Sequence, residues 1–264
     1  MSAVTRNNVH IAGTGPTTLV FAHGFGCDQN MWRHVAPAFE DGYRTVLFDH
    51  VGAGGSDLAA YDPAKYASLE GYANDLVEIG NELRLDQAVF VGHSVSAMIG
   101  LLAALKAPGM FRSLVMVGPS PRYIDDERDG YIGGFKEQQI AELLDFLSDN
   151  YMGWSTAMAP MIMGNADRPE LGEELTNSFC RTDPDIAKEF ARVTFMSDNR
   201  ADLGKVTIPT LILQCSEDII APISVGEYVR KQMPNSELVI LKATGHCPNP
   251  SAPAEVISAI RGFV

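Results

Sequence analysis

Short apolar runs rich in β-branched residues recur along this chain, each broken off at a glycine or a polar pair, and helical patterns separate them. Residues 17–22, 44–49, 88–91, 113–117, 210–215 and 237–241 are such runs, and their length and bounding turn residues predict buried strands. Residues 8–11, followed by the Gly13-Thr14-Gly15-Pro16 turn, predict the first arm of a hairpin with 17–22. Between the runs, Tyr72, Leu76, Ile79 and Leu83 step by four, three and four, the spacing of an amphipathic helix. Further helices are expected after the 88–91 run, over 223–232 and over 254–263. Strands alternating with helices at this spacing predict an α/β fold, a mostly parallel twisted sheet with helices on both faces. In such sheets ligands bind at the carboxyl ends of the strands.

The pattern changes over 119–206. Ile140, Leu143, Leu144, Leu147 and Tyr151 share one helical face; Pro169 opens a second helix through Leu171, Leu175 and Phe179. Asp183-Pro184 reads as a cap with proline at the first helical position, ahead of a stripe through Ile186, Phe190 and Val193. No strand is legible there. The expected organisation is a core sheet built from 1–118 and 207–264, interrupted by a helical lid over 119–206. Most aromatic and methionine side chains of the lid are expected to pack its helices together. Tyr123, Phe135, Trp154 and Phe195 are the candidates for lining an apolar pocket.

The chemistry concentrates at 88–97, Ala-Val-Phe-Val-Gly-His-Ser-Val-Ser-Ala. This reads as strand, sharp turn and helix, the nucleophile elbow that lifts a serine Oγ clear of the sheet. Ser94 holds the serine position, and Ser96 stands where the motif has its last glycine. The bland alternative is a β-α corner with a capping serine. A serine hydroxyl needs an imidazole to take its proton and a carboxylate to orient that imidazole. Asp218 and His246 each follow a predicted strand, giving the chain order Ser, Asp, His of the α/β-hydrolase arrangement. Glu217 is the competing carboxylate and is expected to face solvent; Ser96 lies too deep to be the nucleophile. His23-Gly24-Phe25-Gly26 closes the first strand with a turn able to offer backbone N–H groups. The amides of Phe25 and Val95 are therefore the candidate oxyanion hole, while His23 reads as structural. The glycine-rich stretch 52–55 lacks the third glycine spacing and the following helix of a dinucleotide site, so it reads as a turn.

Composition narrows the partners. The formal charge of −13 and the absence of a Lys/Arg cluster exclude a nucleic-acid or anionic-membrane surface. Four cysteines without paired spacing argue against a zinc site, and no metal or cofactor is expected. The start has no apolar signal segment, and no run reaches the length of a membrane span; a cytoplasmic location is expected.

His-Gly-Phe-Gly-Cys-Asp-Gln-Asn at 23–30, Gly-His-Ser-Val-Ser-Ala-Met-Ile-Gly at 92–100 and Val-Gly-Pro-Ser-Pro-Arg-Tyr at 117–123 together resemble one group of α/β-hydrolases. These are the RsbQ-type bacterial stress regulators and their plant relatives, the karrikin and strigolactone receptor hydrolases. The likeness extends to 180–184, 213–215 and 245–248, nearest to the RsbQ type. It implies a four-helix lid over a small hydrophobic pocket, the triad Ser94, Asp218 and His246, and slow hydrolysis of butenolide-like esters or lactones. It also implies a PAS-domain phosphatase partner in stress signalling. Ser96 in place of glycine agrees with this group, whereas Pro248-Asn249-Pro250 departs from it. A metabolic carboxylesterase or lactonase without a signalling partner is the alternative.

Overall fold

A computed structural model describes residues 1–264. Seven strands form one sheet: β1 His10–Ala12, β2 Thr17–Ala22, β3 Tyr43–Phe48, β4 Ala88–His93, β5 Phe111–Val117, β6 Thr210–Glu217 and β7 Ser236–Thr244. Their spatial order is β1-β3-β2-β4-β5-β6-β7, with every pair parallel except β1 with β3. The helices are α1 Ala3–Arg6, α2 Leu69–Glu82, α3 Val95–Lys106, α4 Glu137–Asp149, α5 Tyr151–Met163, α6 Pro169–Arg181, α7 Pro184–Phe195, α8 Arg200–Leu203, α9 Ile223–Gln232, α10 Pro248–Ser251 and α11 Pro253–Phe263.

The hairpin expected from 8–22 is not formed. β3 lies between β1 and β2, and His10 pairs with Leu47 across an antiparallel ladder. The 13–16 link instead crosses the entrance of β3. A Cβ on Gly13 would sit 2.1 Å from the Tyr43 carbonyl oxygen, and one on Gly15 would sit 2.1 Å from that of Gly42. Two bare glycines let the chain pass over a neighbouring backbone, and local sequence cannot distinguish that crossover from a tight turn.

The central strands are buried on both faces, which explains their unbroken apolar runs. One face packs Val20, Phe48 and Phe90 against α2 and α3 through Tyr72, Leu76, Met98 and Leu101. The other packs Phe21, Val91 and Leu213 against Trp32, Phe39 and the Val256 and Ile260 stripe of α11. Helix α3 is buried along Val95–Ala103 and is apolar almost all round, as a helix enclosed by other layers should be.

Between β5 and β6 the chain first runs through turns and two isolated bridges over 118–136, where the expected helical character is absent, and then forms α4 to α8 with no strand. The apolar stripe from Ile140 to Tyr151 is divided: Asn150 ends α4, and its side chain accepts from Gly153 N to cap α5. Tyr151 therefore begins a new helix rather than closing the old one. Asp183 caps α7 by accepting from Asp185 N and Ile186 N, with Pro184 at the first position. These helices carry their own core of Tyr123, Trp154, Leu175, Phe179 and Phe195, seated over the carboxyl ends of the sheet.

Candidate active site

Three loops from three strand ends meet beneath α5 to α7. Ser94 follows β4 directly and has φ 58° and ψ −125°. A positive φ in a residue with a Cβ costs on the order of 1–3 kcal/mol and persists only where surrounding packing imposes it. Here Ser94 N donates to the Val117 carbonyl at 2.8 Å, and α3 begins at the next residue. The result raises the Ser94 hydroxyl over the N-terminus of a buried helix.

His246 stands two residues beyond β7 and Asp218 immediately after β6. The imidazole Nε2 lies 2.7 Å from Ser94 Oγ and Nδ1 lies 2.7 Å from Asp218 Oδ2. Nδ1–H donates to the carboxylate, leaving Nε2 to accept from the serine. The other carboxylate oxygen, Oδ1, accepts from Ile220 N at 2.8 Å and Ala221 N at 3.1 Å. Burial alone would raise the Asp218 pKa, but His246 and these two amides outweigh it and hold the group below the ordinary carboxylate range. Glu217, the competing carboxylate, is exposed. The base loop is fixed from above, where His246 N donates to Ile162 O on α5 at 2.8 Å.

The loop after β2 lies alongside. A Cβ on Gly24 would fall 3.2 Å from Ser94 Cβ and 2.8 Å from His93 Nδ1, so only glycine admits this approach. The amides of Phe25 and Val95 have no acceptor within the chain. They are free donors at the strand ends beside Ser94, and Val95 N also sits at the positive end of α3.

Three histidines that do not reach the Ser94 hydroxyl hold these loops together. His93 Nε2 donates to His246 O at 2.8 Å. Burial and the neighbouring His246 lower the His93 pKa to about 3, so the ring is neutral. His23 accepts from His50 N through Nε2 and donates to Gly24 O through Nδ1. Ser96 Oγ donates to His23 O and accepts from His50 Nε2, tying α3 to the loop after β2. Ser96 in the glycine position is thus a cross-link as well as a small residue. Asp49, at the end of β3, is taken up by Asn8, Gln29 and Gly55 donors and stays out of the site.

A small cavity of about 30 Å³ opens above Ser94 and His246. Tyr123, Trp154 and Phe195 line it, and so do Phe25, Phe179 and Thr194. Ring centroids run in a connected series, Tyr123 to Phe195 at 5.1 Å, Phe195 to Phe25 at 6.3 Å and Phe25 to Trp154 at 6.0 Å. Phe135 does not reach the cavity. Its backbone is held by Tyr123 O and Asp125 N, which places the ring at the edge of the helical core. Pro248–Ser251, where the sequence departs from the resembled group, is a short helix whose Asn249 donates to Met31 O. No group of His, Cys, Asp and Glu side chains has the arrangement of a metal site. No helix is long and apolar enough to cross a membrane.

A family model described as "Alpha/beta hydrolase family" matches residues 19–259. The chain belongs to the alpha/beta hydrolase family. Curated relatives of this hydrolase include the Strigolactone esterase D14 of Arabidopsis thaliana, 39% identical over 255 residues, 96% of this chain and 94% of the relative. The Karrikin insensitive 2 receptor CA of Petunia hybrida is 37% identical over 255 residues, with the same two coverages. Among solved structures, a hydrolase from Oleispira antarctica superposes with a TM-score of 0.96 at 41% identity, covering 99% of this chain and 95% of that one.

Proposed function

We propose that this hydrolase cleaves small, largely apolar esters or lactones through a covalent intermediate on Ser94. The observation that carries the reading is the unbroken relay from Ser94 Oγ through both His246 nitrogens to Asp218, opening into an aromatic cavity. In the proposed mechanism His246 Nε2 removes the Ser94 proton as Oγ attacks the ester carbonyl, and Asp218 keeps the imidazole in that tautomer and stabilises its charged form. The Phe25 and Val95 amides receive the developing oxyanion, each contributing about 3 kcal/mol to the transition state. His246 then returns its proton to the leaving oxygen, and water, deprotonated by the same imidazole, releases the acyl group.

A butenolide-like lactone and a role as a ligand-responsive regulator are the finer form of the proposal. They rest on the whole-chain likeness to proteins named as a strigolactone esterase and a karrikin insensitive receptor. A PAS-domain phosphatase is the partner that the RsbQ-type motifs suggest. The metabolic alternative is an esterase or lactonase with no signalling partner, and the Oleispira antarctica neighbour is called a hydrolase.

Both readings meet one experiment. The protein is mixed with a fluorogenic butenolide, product release and intact mass are followed together, and Ser94→Ala is the control. Many turnovers on unmodified protein identify an ordinary esterase. A single slow turnover that leaves mass on Ser94 or His246 identifies a receptor that reacts with its ligand. Full activity in Ser94→Ala refutes the mechanism.

A further inference from the structure

The cavity above Ser94 is not uniformly apolar. Thr194, Tyr123 and Trp154 all line it, with relative exposures of 1%, 1% and 0%, and none of their side-chain polar atoms has a hydrogen-bond partner in the chain. Tyr123 lines the same cavity as Ser94, and its hydroxyl has no hydrogen-bond partner in the chain.

Thr194 is the most telling of the three. A threonine inside a helix ordinarily satisfies its hydroxyl on the carbonyl four residues earlier. Three other helical hydroxyls of the insertion do this, Ser155 on Tyr151 O, Thr176 on Gly172 O and the exposed Thr156 on Met152 O, while the buried Ser178 donates instead to Gly26 O across the fold. Thr194, in the last turn of α7, leaves the Phe190 carbonyl alone and keeps its hydroxyl free at the cavity wall. A buried donor without a partner is costly, and a valine of the same shape would fill the site without that cost. Three such donors around one small space indicate that the ligand brings the acceptors.

We infer that Thr194 and Tyr123, assisted by Trp154, form a subsite that reads an acceptor oxygen in the acyl part of the substrate, separate from the scissile carbonyl. The substrate class is then an oxygenated small lactone or ester, with an ether or carbonyl oxygen besides the reacting group. A plain hydrocarbon acyl chain would leave the donors stranded. This rests on the hydrolase reading of Ser94 and narrows it.

The test compares δ-valerolactone with 1,4-dioxan-2-one, a pair in which one ring methylene is exchanged for oxygen. Turnover is followed by pH-stat, and each rate is divided by the hydroxide-catalysed rate to remove the inductive effect of the second oxygen. The wild-type protein is expected to favour dioxanone about tenfold in kcat/KM, the worth of one buried hydrogen bond. Thr194→Val and Tyr123→Phe, each with a circular dichroism spectrum matching wild type, should bring that ratio toward one. A ratio unchanged in both variants overturns the subsite. If wild type hydrolyses neither lactone, the hydrolase reading is what fails. The subsite is then decided by binding, from tryptophan fluorescence of Ser94→Ala with and without Thr194→Val. Loss of discrimination on adding valine upholds it, and unchanged discrimination overturns it.

Discussion

Replacing Asp218 by asparagine tests the relay more sharply than removing the nucleophile, because the structure dictates how the amide must sit. Asp218 Oδ1 accepts from two backbone N–H groups, at 2.8 and 3.1 Å, while Oδ2 faces His246 Nδ1 at 2.7 Å. An asparagine must keep its carbonyl oxygen on the two amides, since the opposite orientation would set its NH2 against two donors. The NH2 then faces His246 and can only donate, so Nδ1 becomes the acceptor and the imidazole proton moves to Nε2. That proton points at Ser94 Oγ, where a base is required. The variant is isosteric and leaves every backbone contact in place, yet its imidazole cannot take the serine proton. The expected loss in kcat is about 10⁴-fold, equivalent to about 5.5 kcal/mol of transition-state stabilisation. The assay is steady-state hydrolysis of a short acyl ester, with thermal unfolding to show that the fold persists. A folded Asp218→Asn enzyme retaining more than a tenth of wild-type kcat would refute the assignment of Asp218 as the residue that sets the tautomer.

Other perturbations follow from the contacts around the relay. Gly24→Ala sets a methyl 2.8 Å from His93 Nδ1 and displaces the loop that carries the Phe25 amide; kcat should fall by about 10²-fold or more, and an unchanged kcat would separate that loop from catalysis. Ser96→Ala strands His50 Nε2 and the His23 carbonyl in the interior, lowering stability by about 1–3 kcal/mol in urea titration; an unshifted unfolding midpoint would count against the cross-link. His93, with a pKa of about 3, and His50, held well below the ordinary imidazole value by burial and by His23, are neutral in the folded protein. The unfolded chain binds their protons first, so stability is greatest above pH about 6.5 and falls on acidification by about 1.4 kcal/mol per pH unit for each. For His93 the fall ends near pH 3. A flat denaturation midpoint between pH 6.5 and 4.5 would contradict that account.

The parts of this molecule legible in the sequence are those fixed by local rules. Strands buried on both faces show as continuous apolar runs, and Asp183-Pro184 announces α7 through a cap and a proline that act within one turn. The crossover at 13–16 was not legible, because Gly13 and Gly15 are needed for the approach of a backbone some thirty residues away. A glycine pair looks the same whether the chain reverses or passes over a neighbour. Asn150 similarly carried no distinctive sign that its side chain would end one helix and begin the next.

The site shows the same division. Ser94, Asp218 and His246 were legible because the elbow and the strand-end positions are sequence signatures, and the structure brings the three together. The cavity wall was only partly so. An aromatic side chain in or beside the lid reads identically whether it meets another helix or a cavity, so sequence does not separate Phe135, at the edge of the helical core, from Phe25 and Phe179, which line the cavity. Thr194 was hidden for the opposite reason. A hydroxyl in a helix is unremarkable in sequence, and only the folded chain leaves this one without a partner at the cavity wall. Catalytic geometry is written in residues that must touch one another, so its spacing survives in the chain. Specificity is written in groups that wait for a ligand, and only the folded molecule reveals which donors have been left unpaired.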